Sequence, residues 1–289
     1  AVPTRVMDIT GRTTRRTRWD GARMGLAILG GVLPILSLPV VVQGSQTPSA
    51  HPGSSEPPPA QALVPIRAAA ERGDAVSQTH LGNAYAYGMG VPEDLDEAIR
   101  WFRRAADQGF AIAQTNLGLA YTHGIGIAPD SDQALRWFRL AADQAEPTAQ
   151  YHLALAYTEG SVVTQDSTRP VQWFRLAADQ GHAGAQYNLG IAYANGLGVY
   201  ADLSAGVTWF QRAADQGHAA AQGHLGIAYA NGLGVMRDTI AAVQWYLLAG
   251  DRGFAPARDY LMELQTIVSR ADLAEAMRRA REWTPTPQP

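Results

Sequence analysis

Five tryptophans stand 36 residues apart: Trp101, Trp137, Trp173, Trp209 and Trp245. The same interval separates Leu81, Leu117, Leu153, Leu189 and Leu225, then Tyr85, Tyr121, Tyr157, Tyr193 and Tyr229, then Gly88, Gly124, Gly160, Gly196 and Gly232. Two stretches, 177–199 and 213–235, differ only at Gly184, Tyr187 and Asn188. A period of this length without insertion or deletion describes a stack, because every copy must solve the same packing problem in the same way.

Each copy reads as two helices. In the fourth, Ala185, Leu189, Ala192 and Tyr193 recur at i, i+4, i+7 and i+8 and share one helical face from about Ala183 to Asn195. Gly196 suits the left-handed residue that ends a helix. Asp202 is a good N-cap for a second helix, which turns Val207, Phe210, Ala213 and Ala214 inward and stops at Gly217. Glycine recurs inside the first helix at Gly82, Gly118, Gly190 and Gly226, with Ala154 in the third copy. A helix-interior glycine costs about 1 kcal/mol against alanine, so its return predicts a neighbour too close for a side chain. The third copy is the least regular: Ala145 and Val162 replace glycines, and Pro170 falls in the second helix.

One helical pair cannot bury its own apolar face, whereas stacked pairs bury each other's. The expected fold is all-α: a right-handed α-α superhelix with a concave side, in which the tryptophans are core. Residues 61–72 line up with a second helix and cap the start of a solenoid over 61–283. Its five repeats cover 73–252, and closing helices cover 253–283, the last being Ala271 to Trp283. Residues 284–289 are tail.

The run A-x-A-Q-x-x-L-G-x-x-Y-x-x-G-x-G-V, then W-F-x-x-A-A-D-x-G, resembles the Sel1-like repeat, a tetratricopeptide-related family. The resemblance covers about Gly73 to Gly253. It implies an α-solenoid that works as an adaptor for other proteins, of an exported bacterial type. Some secreted members with a cysteine pair in each repeat have been linked to penicillin binding and β-lactam hydrolysis. This chain has no cysteine and matches that branch poorly.

Composition narrows the chemistry. All 23 basic residues are arginine, so Schiff bases, Ser-Lys dyads and the phosphate-binding lysine of a P-loop are excluded. Without cysteine there are no disulfides or thiolate metal sites. His80, His152 and His224 share one repeat position, but they lie two units apart, on the order of 20 Å in a stack. Zinc needs ligands at about 2 Å, so no common metal is expected. A His/Asn ladder between neighbouring first helices, completed by Asn116 and Asn188, is the structural alternative. His182 and His218 are expected on the surface. Arg103, Arg139 and Arg175 are expected to pair with Asp107, Asp143 and Asp179 on a mixed-charge face, not the basic stripe that nucleic acid needs. No motif for a nucleophile, a metal or a nucleotide is present, so the expectation is no catalysis, no cofactor and no nucleic acid.

The working surface is expected on the far side of the first helices. Residues two before and two after the core leucine share that face. It reads Thr79/Asn83, Thr115/Leu119, Tyr151/Leu155, Tyr187/Ile191 and Gly223/Ile227, edged by His123, Glu159, Asn195 and Asn231. As an apolar concave groove it suits a protein or peptide partner bound by a monomer. The alternative is that these side chains pack against neighbouring first helices or a loop. Two competing functions remain: an envelope hydrolase acting on cell-wall or β-lactam substrates, and a spacer without a ligand.

Residues 1–42 suggest export. Arg5, Arg12, Arg15, Arg16, Arg18 and Arg23 precede the uncharged run Met24 to Val42, the pattern of a signal peptide or an N-terminal anchor. Arg18 spoils a twin-arginine match at Arg15 and Arg16. Residues 43–60, rich in Pro, Ser and Gly, read as a linker. A periplasmic or secreted protein is expected, touching the membrane only through residues 24–42.

Overall fold

The computed structural model describes residues 60–158, 168–264 and 266–286. The arginine-rich start, the apolar run, nearly all of the linker, Glu159, Gly160, Val162 and residues 287–289 lie outside this range. Among the described residues there are thirteen α-helices and no strand, after a short 3-10 turn at Ala60–Ala62. No helix among them is long and apolar enough to cross a membrane.

The capping helix α1 is Leu63–Glu71. Five pairs follow: α2 (Ala75–Tyr87) with α3 (Leu95–Asp107), α4 (Ala111–His123) with α5 (Ser131–Ala142), α6 (Pro147–Thr158) with α7 (Thr168–Asp179), α8 (Ala183–Asn195) with α9 (Leu203–Asp215), and α10 (Ala219–Asn231) with α11 (Thr239–Asp251). Each helix packs mainly on the one before it and the one after it, the arrangement of a repeat solenoid. Local signals set the boundaries. Asp94, Asp130, Asp202 and Asp238 each accept the amide three residues on, at 2.9–3.0 Å, and so start the second helices. Gly88, Gly124, Gly196 and Gly232 close first helices in the left-handed conformation.

The core is divided unit by unit. Leu81, Leu117, Leu153, Leu189 and Leu225 are fully buried, as are Phe102, Phe138, Phe174, Phe210 and Tyr246 or nearly so. The indoles are spread over successive clusters and never meet in one centre. Trp101 and Trp245 are buried; the other three repeat tryptophans are half-buried. The recurrent helix-interior glycines have a specific cause. A Cβ on Gly82, Gly118, Gly190 or Gly226 would lie 2.5–2.6 Å from the ring of Phe102, Phe138, Phe210 or Tyr246. The close neighbour is thus an aromatic ring of the same unit's second helix.

A ladder of glutamines fastens one unit to the next. Gln78, Gln114, Gln186 and Gln222 are buried, and each donates from Nε2 to a carbonyl near the end of the preceding second helix, that of Ala70, Ala106, Ala178 or Ala214, at 3.0–3.2 Å. Gln150 reaches Ala142 at 3.5 Å. The side-chain oxygens of Gln78, Gln114, Gln150 and Gln186 accept from Gln108, Gln144, Gln180 and Gln216 at 2.7–2.9 Å. The series stops at Gln222. Arg252 takes the next donor position and lies instead 4.5 Å from the centre of the Trp283 ring, leaving Gln222 Oε1 buried without a partner.

Two expectations change. Arg103 and Arg175 donate to the hydroxyls of Tyr121 and Tyr193 in the following unit and not to Asp107 and Asp179, so they tie layers together. Asn188 and His224 bond carbonyls one turn back in their own helices, Gly184 at 2.9 Å and Ala220 at 2.9 Å. Among the described members of that series, Asn116 crosses to a neighbouring first helix, donating to Asn83 at 3.3 Å. The sixth first helix is short, α12 (Ala257–Leu264), and α13 (Arg270–Glu282) folds back on α11. Trp283 then meets Trp245 edge-on at 6.4 Å, and the Thr286 amide donates to the carbonyl of Asp215 at 2.7 Å.

The third unit carries backbone strain where its sequence departs from the pattern. Ala145 holds φ +64°, where the other units have glycine. A non-glycine residue there costs about 1–2 kcal/mol. Ala145→Gly should therefore raise stability by about 0.5–1 kcal/mol, once glycine's larger unfolded-state entropy is deducted. Urea unfolding checks this, and an unchanged or lowered midpoint would contradict it.

Candidate functional site

The far face of the first helices splits into two parts. Asn83, Thr115, Leu119 and Ile227 are no more than 8 % exposed and cannot line an open groove. Adjoining elements cover them. Asn116 of α4 reaches Asn83, the Thr115 hydroxyl donates to Glu146 at 2.7 Å, and the Phe254 ring occupies the space beside Gly223. At these positions the packing alternative holds. Tyr151, Leu155, Tyr187, Ile191, Asn195 and Asn231 are half-buried, and His123 is exposed. Glu159 lies outside the described residues. The accessible part of the face thus runs from the end of α4 across α6, α8 and α10. Asn195 and Asn231 spend their amide donors one turn back, on Ile191 and Ile227 at 2.9 Å, which fixes both side chains.

Two tyrosine–histidine stacks dominate this face. His182 and His218, expected on the surface, are the N-caps of α8 and α10: each Nδ1 accepts the amide three residues on, Ala185 at 3.1 Å and Ala221 at 3.3 Å. The chain needs a cap there, and a ring with an unprotonated nitrogen supplies it. The His182 ring stacks on Tyr151 at 4.5 Å and the His218 ring on Tyr187 at 4.8 Å. Behind them His152 stacks on Phe138 at 5.0 Å, and His224 lies 5.1 Å from Phe210. Burial removes water from these imidazoles and favours the neutral form. It holds His182 and His218 down at about 4 and His152 at about 3, and lowers His224 as well. Burial also raises the Tyr187 hydroxyl to about 12. Neutral stacked rings offer a shaped, largely uncharged surface. Among the described residues no three His, Asp or Glu side chains converge as a metal site.

Sequence reasoning missed a second set of side chains, in the turns after α8 and α10. Leu197 is 51 % exposed, Tyr200 98 % and Met236 89 %. Tyr200 and Met236 hold the repeat position occupied earlier by Pro92 and Ala128. Comparing that position between units was the available signal: a large apolar residue there is not needed by the turn. Near Met236 an open groove of about 650 Å³ is lined by Tyr229, Val235, Ile240, Asp238 and Asp272.

Comparison with known proteins agrees with this architecture. The Sel1 repeat family model matches residues 75–110, 111–146, 147–182, 183–218 and 219–254, one per unit. No curated protein matches the chain. A Sel1 repeat protein from Oxalobacter formigenes superposes with a TM-score of 0.67 at 29 % identity, over 79 % of this chain and 93 % of that one. A protective antigen of uropathogenic Escherichia coli strains displaying an SLR fold superposes with a TM-score of 0.56 at 29 % identity. That match covers 78 % of this chain and 56 % of the antigen. With five consecutive matches and a solved relative of the same build, this chain belongs to the Sel1 repeat family.

Proposed function

We propose that this protein is a scaffold at the cell envelope that holds a protein or peptide partner and carries out no chemistry of its own. The observation that supports it most is the apolar side chains left uncovered in the C-terminal half of the array. Tyr200 and Met236 stand almost wholly in water in the turns after α8 and α10, and the first helices separately offer Tyr151, Leu155, Tyr187 and Ile191 half-exposed. Aromatic and aliphatic anchors on a rigid scaffold are the side chains that dominate protein recognition. The envelope location rests on the arginine-rich segment before the apolar run Met24 to Val42.

The double change Tyr200→Asp, Met236→Asp tests the surface without touching the core. The full chain and its variant are used as bait on envelope extract, with thermal melting as control. The partner captured by the wild type should be lost, while the melting temperature moves by less than about 2 °C, since exposed substitutions stay within about 0.5 kcal/mol. Equal capture by both would remove these turns from the binding surface. Turnover of nitrocefin or muropeptides by the purified protein should stay at background; turnover above it would reverse the non-enzymatic reading.

A further inference from the structure

The caps of the first helices are not alike. Asp74 caps α2 with a carboxylate, accepting Ser77 N at 2.8 Å, and Glu146 accepts Ala149 N ahead of α6. Phe110, before α4, makes no side-chain cap bond. Only α8 and α10 are capped by histidine. We propose that His182 and His218 form an acid-sensitive latch, which releases the first helices of the fourth and fifth units while the carboxylate-capped first unit stays folded.

The argument is geometric. An imidazole caps a helix only while its Nδ1 carries a lone pair; once protonated it is a donor facing a donor. The added charge also sits at the positive end of the helix dipole, which repels it. Each ring is held in place by its tyrosine stack and cannot swing into water without breaking that contact.

Among the described residues, the groups that face these two rings are tyrosines and other histidines. His182 faces Tyr151 and His152 of α6 and lies within electrostatic range of His218. His218 faces Tyr187 of α8 and is within range of His224 of α10. Of the acids that end the preceding second helices, Asp179 is exposed and Asp215 receives Gln211 at 2.7 Å. Among the described residues no carboxylate pairs with any of the four rings.

The direction follows from linkage. The unfolded chain binds these protons near pH 6.5, whereas the folded rings resist them until about pH 4. The stabilisation is therefore complete above pH 6.5 and is lost as pH falls through that window.

The test is an acid titration of the full chain from pH 7 to pH 4. Hydrogen exchange is corrected for its intrinsic pH dependence and read by unit. The segments 183–195 and 219–231 should lose protection before Ala75–Tyr87 does, with 147–158, which carries His152, opening in the same acid window. In the double variant His182→Asn, His218→Asn, asparagine caps without titrating. Its transition in those segments should move down by about one pH unit, with His152 and His224 leaving a residual slope. Protection lost together along the whole array, or an identical transition in the variant, would overturn the latch. Should the variant fold poorly, the wild-type imidazole titration by NMR decides: ring pKa values near 6.5 overturn the proposal, and values near 4 support it.

Discussion

Phe210→Ala should destabilise the fourth unit by about 3–5 kcal/mol, the usual cost of removing a buried aromatic ring. Phe210 is 3 % exposed, and its ring edge lies 2.6 Å from where a Cβ on Gly190 would be. The ring and the missing side chain are two halves of one contact, so their substitutions should couple. In the wild type, Gly190→Ala gains about 1 kcal/mol of helix propensity, which crowding against the ring cancels or exceeds. In the Phe210→Ala background the same change should be more favourable than in the wild type, because the ring is gone and only the Gly206 carbonyl, 3.1 Å from the added Cβ, still crowds it. The third unit shows the limit of the crowding: Ala154 sits at the equivalent position, fully buried in the cluster that holds Phe174. Chemical unfolding of the four proteins in the cycle measures the coupling. Simple additivity would mean that the glycine is there for another reason.

Gln186→Leu is the second large effect, at about 2–4 kcal/mol. Gln186 is 1 % exposed, donates to the Ala178 carbonyl and accepts from Gln216. Leucine fills the volume but orphans both partners, at about 1–3 kcal/mol for each group left fully dry. Gln216 keeps a bond to the Gly181 carbonyl at 2.9 Å, which holds the total below the maximum. Gln222→Leu is the internal control. Its Oε1 has no partner to lose, so only the Ala214 carbonyl is orphaned and the cost should be smaller by about 1 kcal/mol. Equal losses at the two positions would show that the rungs add nothing beyond the backbone contact.

Much of this architecture could be read from the sequence because its signals are local or periodic. The helix over 183–195, its glycine stop, the Asp202 cap and the leucine core all follow from spacing within one unit. What escaped the sequence depends on how units superpose. Gln186 is visible as a recurring glutamine, but its acceptor lies eight residues back and its donor thirty ahead. Arg103 has an aspartate one turn away, yet reaches a tyrosine eighteen residues on, because the next layer brings that hydroxyl closer. The candidate face was half legible for the same reason. A helical wheel puts Leu119 and Ile191 on the same side, but only the stacking of layers decides that Leu119 is covered while Ile191 stays half-open. Tyr200 and Met236 lay in turns, where periodicity carries no sidedness at all.

Helix contacts made mainly between adjacent layers also bear on heredity. An in-frame duplication of residues 183–218 in the gene would present the same rungs and stacks to both neighbours and leave either terminal cap unaltered. Recombination between the nearly identical fourth and fifth copies could thus lengthen or shorten the protein by one whole layer without a misfolded intermediate form having to be tolerated. The number of units becomes a quantity that selection can adjust separately from the surface each unit displays.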